Sequence, residues 1–144
     1  MTERKSTRNL STAEYFLQIQ KEYLIAEFRR KIYYNPKDKA YWKRVMGFKK
    51  QKIEEIAKRN GLKSIFNNEE KHCYLRSILF DSNGKPKFEM TDTDKSNYFT
   101  SGNEFSYNGD IYILEKINGT SAVLHSACNN EKFEVKTELI SRIL

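Results

Sequence analysis

Apolar residues recur at two different periods along this chain, and the change falls near residue 72. In the first half Phe16, Leu17, Ile19, Tyr23, Leu24, Phe28 and Ile32 follow one another at helical spacing, in an arc wide enough for a helix covered on two sides. Ser11, followed three residues later by Glu14, has the form of a capping box that starts it. Asn35-Pro36 ends this helix and opens another, because Pro36 fits only a first turn, with Asn35 as cap and Asp38 at the positive dipole end. The second helix is predicted to stop at Asn60-Gly61, where Gly61 supplies a left-handed residue and Lys58 and Arg59 suit the negative end. Trp42, Val45, Met46, Ile53, Ile56 and Ala57 share one apolar arc, so the second helix is expected to lie on the first as an antiparallel hairpin, with Trp42 in the core. Leu62, Ile65 and Phe66 close that hairpin ahead of a polar link at 67–71.

After His72 the period becomes two. Residues 73–80, 87–90, 104–107, 110–117, 122–127 and 132–135 read as short strands, punctuated by Asn83-Gly84, Asn108-Gly109, Asn118-Gly119 and Asn129-Asn130. Asn-Gly favours type I′ turns, in which both central residues take positive φ, so an antiparallel meander is predicted. Residues 92–102 form its one long polar connection, expected to be mobile. The expected fold is α+β: a flexible basic arm at 1–10, a basic helical domain at 11–71 and an antiparallel, barrel-like domain at 72–144.

Within the second half, Gly102-Asn103-Glu104-Phe105, the hairpin from Tyr107 to Ile113, the strand Ala122-Val123-Leu124, and Val135 followed by Thr137-Glu138-Leu139-Ile140 resemble a small SH3-like β-barrel of the Tudor or KOW kind. The resemblance covers residues 99–144 and implies a one-turn 3₁₀ helix at 137–140 before a last short strand. It implies a fold and no single function, since such barrels bind nucleic acids or peptides, or dimerise.

Charge separates the halves further. Residues 1–72 hold 18 Lys and Arg against 9 Asp and Glu, net +9, while residues 73–144 hold 8 against 10, net −2, recovering the +7 of the 144-residue chain. This asymmetry points an anionic partner to the first half. A charged fraction of 31%, 13% aromatics and a mean hydropathy of −0.78 suit a folded, water-exposed protein. No apolar run approaches the roughly 20 residues of a membrane span, and the first 11 residues lack the apolar stretch of a secretory signal, so a cytoplasmic location is expected. Cys73 and Cys128 are then free thiols, expected to be buried or half-buried, and Asn118 to Thr120 is a turn rather than a glycan site.

The sharpest chemistry lies on the second helix. Tyr41, Arg44, Phe48, Lys52 and Arg59 share a flank beside the apolar stripe, with Lys43, Lys50 and Lys58 on the far side, offset in part by Glu54. Interleaved rings and cations suit a phosphate backbone with accessible bases. Lys49, with Arg29 and Arg30 in the last turn of the first helix, completes the candidate nucleic-acid-binding set. An ordinary solvated basic face is the plain alternative. His72-Cys73 and His125 with Cys128 lack metal-ligand spacing, since adjacent strand residues point to opposite faces, and neither a metal nor a cofactor is expected. Tyr98, Phe99, Phe105, Tyr107 and Tyr112 are candidates to line a groove at a barrel edge, Tyr107 and Tyr112 being the most exposed. Glu89, Asp92 and Asp94 read as solvated turn carboxylates, and no Gly-rich phosphate loop, GxSxG or HExxH is present, so an enzyme is not expected. The functional expectation is a nucleic-acid or ribonucleoprotein-binding accessory protein, with a barrel that docks or forms a homodimer. The alternative is a protein-protein inhibitor or adaptor of the phage or mobile-element type that meets an acidic protein surface and blocks a site on a larger complex, such as one that handles nucleic acid.

Overall fold

A computed structural model describes residues 11–129 and 131–144, and the chain divides into two compact units. The first holds the described residues up to Lys31 together with Asn35–Leu79, and the second holds Ile32–Tyr34 and Phe80–Leu144. The basic arm expected at 1–10 lies outside the described residues. Counted over the described residues, the first unit carries 16 Lys and Arg against 8 Asp and Glu, and the second 7 against 10, so the charge asymmetry follows the structural boundary. Among the described residues no helix is long and apolar enough to cross a membrane.

In the first unit α1 (Thr12–Ile32) begins at the expected capping box: the Ser11 hydroxyl accepts from the Glu14 N–H and the Glu14 carboxylate accepts from the Ser11 N–H, both at 3.1 Å. α2 (Pro36–Asn60) starts on Asn35, whose side chain accepts from the Lys37 N–H, and stops at Gly61, left-handed at φ 62°. Phe16 and Ile19 of α1 pack on Ile53, Ile56 and Ala57 of α2. Farther along α1, Glu22 pairs with Lys49 and Arg29 lies over Trp42. Partners on α2 therefore step backward as α1 runs forward, and the helices are antiparallel. Burying the four large side chains among them, at about 1.5–3 kcal/mol each, holds the pair together, with Ala57 adding less. The buried Gln20 ties α1 to the loop after α2, giving its amide N–H to the Phe16 carbonyl and accepting from the Ile65 N–H at 2.9 Å.

Two expectations for this unit are corrected. Trp42 is half-buried rather than central to the core, because the buried residues of α2, Ile53, Ile56 and Ala57, lie toward its C-terminal end. Residues 73–80, expected as a strand, fall in a third helix, α3 (Glu69–Leu79). Leu75 and Leu79, four residues apart, are its buried positions, while Cys73 and Tyr74 face solvent and produced a false alternation. Asn68 accepts from the Lys71 N–H at 2.9 Å and Glu69 and Glu70 fill the first turn, so the helix start is encoded after all.

The second unit is a five-stranded antiparallel sheet covered by one short helix. After α4 (Asp92–Tyr98) come β1 (Glu104–Tyr107), β2 (Asp110–Asn118), β3 (Ser121–His125), β4 (Lys132–Lys136), a 3₁₀ turn at Thr137–Leu139 in the expected slot, and β5 (Ser141–Arg142). The sheet order is β4-β3-β2-β1-β5. Phe105, Leu114, Ala122 and Leu124 are buried on one face. Tyr98 and Phe99 cover it, Tyr98 edge-on to Phe105 at 5.8 Å and Phe99 stacked on the same ring within 9° of parallel.

The SH3-like barrel is not formed. Closure requires the two edge strands to pair. β5 has two residues and pairs only with β1, and β4 pairs only with β3, so the sheet stays an open meander. The stretch 87–90 is not a strand; one isolated bridge joins Phe80 to Pro86, and Asp81 shapes the turn between them by accepting from the Asn83 and Lys85 N–H groups. The polar connection at 92–102 begins with α4. Thr91 and Asp94 form a reciprocal capping box, and the Asp94 carboxyl, fully buried, also accepts from the Tyr33 hydroxyl at 2.6 Å. Asn108-Gly109 makes the expected turn with both residues at positive φ, 51° and 83°. At the next hairpin Asn118 pairs with Ser121, so the turn is Gly119-Thr120 and Gly119 alone takes positive φ, the pattern of a type II′ turn.

Candidate nucleic-acid interface

Because α2 runs unbroken from cap to cap, residues three and four apart share its surface, and the flank read from sequence is physically assembled. Tyr41, Lys43, Arg44, Phe48, Lys52 and Arg59 are all exposed. Phe48 is 71% accessible and Tyr41 49%, large values for rings on a helix that buries other apolar residues well. Tyr41 is steadied edge-on against Trp42 with centroids 5.0 Å apart. Lys52 and Arg59 line a cleft of about 340 Å³ with Tyr15, Ser11 and Thr12 beside the first turn of α1.

Three of the candidate cations are engaged inside the unit instead. Lys49 bonds the Glu22 carboxylate at 2.8 Å. Burial would push the Glu22 carboxyl up, but hydrogen bonds from Lys49 and Gln18 outweigh it and hold the group below its ordinary range. Arg29 lies 4.8 Å from the centre of the Trp42 ring, and Lys50 lies 5.1 Å from that of Phe66. These contacts tie α1 and the 62–66 loop to α2, and each cation held this way is less available to a partner. Arg30 is exposed, while its carbonyl accepts from the Lys39 ammonium at 2.8 Å. The flank also carries Glu55, exposed and four residues before Arg59, which lowers its net charge.

The other constellations do not come together. His72 and Cys73 lie on α3 and not on a strand, and Cys73 and Cys128 are both exposed rather than buried. Among the described residues no group of three or more His, Cys, Asp and Glu side chains could hold a metal ion. Tyr98 and Phe105 are fully buried, so the five barrel aromatics line no common groove. Tyr107 and Tyr112 are half-buried and pack with Phe133, the closest pair edge-on at 4.9 Å. Asp94 is withdrawn into the unit while Glu89 and Asp92 stay exposed, so these carboxylates do not converge.

The geometry thus leaves Arg44, Lys52 and Arg59 exposed with the rings of Tyr41 and Phe48 on one flank of α2, and Lys43 exposed on the far side of the same helix. Comparisons with protein-family models, with curated proteins and with solved structures found no match for this chain.

Proposed function

We propose that the first unit binds single-stranded nucleic acid along the outer flank of α2, as a non-enzymatic accessory protein. The observation that carries the reading is the joint exposure of Phe48 and Tyr41 beside Arg44, Lys52 and Arg59. Cations alone would suit any anionic surface. Exposed rings interleaved with them suit bases that are free to stack, each contact being worth about 1–3 kcal/mol. The excess of Lys and Arg in this unit draws a polyanion to it.

Fluorescence anisotropy of a labelled oligonucleotide, read against salt, tests this. Three or four neutralised phosphates give a log-log slope of about −2 to −3, at about −0.7 per phosphate on single strands. Arg44→Ala with Lys52→Ala is expected to flatten the slope by about 1.4. Phe48→Ala is expected to weaken binding roughly ten-fold while leaving the slope unchanged. Affinity insensitive to salt, or no binding of either RNA or DNA, contradicts the proposal. Binding of polyglutamate in place of oligonucleotides assigns the flank to an acidic protein surface instead.

A further inference from the structure

The open sheet leaves part of its core-facing side uncovered. Cross-strand partners share a face, and Ile117 pairs with Ala122. Ala122 is fully buried, yet Ile117, past the irregularity between Leu114 and Lys116, is only half-buried, because α4 is seven residues long and does not reach it. The result is a cleft of about 580 Å³ with Ile117, Phe99 and Met90 as apolar lining. That volume falls within the roughly 300–1,000 Å³ of small-molecule sites, which combine apolar walls with a few placed polar groups.

The polar groups here are unequal. Lys85 gives two hydrogen bonds to the carbonyls of Thr137 and Glu138, at 3.0 and 2.7 Å, which fastens the 80–90 segment to the 3₁₀ turn. An ammonium carries three donors, so one remains. Burial lowers the Lys85 pKa, countered in part by the carboxylates of Asp81 and Glu138, so a further negative charge nearby relieves its desolvation. Lys95, on α4, lines the same cleft and is exposed, with no ion pair among the described residues. Glu138 is the cleft's one acidic residue, so the lining carries one net positive charge.

We infer that this cleft binds an amphipathic monoanion, an aliphatic chain ending in a carboxylate, with the chain on Ile117, Phe99 and Met90 and the carboxylate between Lys95 and Lys85. The site is independent of the α2 flank and stands whether or not that flank binds nucleic acid. The excess of one cation selects a carboxylate over an alcohol or an ammonium head of equal length.

Titration of the full chain with decanoate below its micelle concentration, followed by ¹H–¹⁵N NMR, provides the test, with decanol and decylammonium as comparators. The expected result is saturable binding with shifts at 85–99, 117–120 and 137–138. The exposed-site variant Lys95→Glu should weaken it about ten-fold, and Ile117→Trp should abolish it by filling the cleft while leaving the other amide positions of the sheet unchanged. No saturable binding, equal binding of decylammonium, shifts confined to other residues, or a Lys95→Glu variant that binds decanoate as well as the parent overturns the inference.

Discussion

α2 and α4 are both opened by capping side chains, yet the two caps serve opposite ends. At α2, Asn35 satisfies the Lys37 N–H from an exposed position, and the helix that follows turns most of its charged side chains outward. At α4 the cap is Thr91, and its capping-box partner Asp94 is buried, binding the Thr91 N–H with one oxygen and the Tyr33 hydroxyl with the other. Side-chain capping thus opens a presenting surface in one unit and an internal clamp in the other. Burial decides between them, and burial is not written in the motif.

Removing each cap measures that difference. Asp94→Ala leaves a buried hydroxyl and an N–H without their acceptor, each costing about 1–3 kcal/mol, so the second unit should lose about 4 kcal/mol in urea unfolding. Asn35→Ala, by contrast, should cost the first unit about 1 kcal/mol. Equal effects would mean that Asp94 is solvated, as its polar sequence context suggests.

A smaller effect separates the helical and strand readings of α3. Leu75 is wholly buried and Cys73 exposed, so Leu75→Ala should cost about 3 kcal/mol and Cys73→Ala less than about 0.5. A strand would put both on one face and make both costly. Reaction of native Cys73 and Cys128 with a thiol reagent at the rate of a free thiol is the accompanying check.

The second unit should also show its burial in alkali. Desolvation pushes the Tyr98 phenol up to about 12, against the hydrogen bond its oxygen accepts from the Arg142 N–H at 2.7 Å. An acid whose folded pKa is raised gives up its proton first in the unfolded chain, so stability falls from about pH 10 to pH 12, by about 3 kcal/mol at most. Ultraviolet titration of the nine tyrosines should find at least one ionising near the top of that window.

How much of this was legible in the sequence follows a physical line. Caps and turns with positive φ are local, and Ser11-Glu14, Asn35-Pro36, Gly61 and Asn108-Gly109 behave as their chemistry requires. Asn68 and Thr91 are equally local signals, but each sits in a polar run that reads as linker. Barrel closure depends on whether β4 meets β5, a long-range outcome that no hairpin motif encodes. On α2 the flank was legible because helical spacing is regular. Which of the other candidate cations are drawn to Glu22, Trp42 and Phe66 was not, since that depends on the register of α1 and the 62–66 loop against α2. The cleft under Ile117 is a consequence of the open sheet and was beyond reach while a closed barrel was expected.

If the proposed function holds, nucleic acid meets the first unit and the sheet of the second takes no part in that contact. Backbone amide NMR of the full chain titrated with a single-stranded oligonucleotide tests this. The expected shifts concentrate between residues 41 and 59, with β1 to β5 unmoved; shifts centred on the sheet, or none at saturating oligonucleotide, would contradict the proposal.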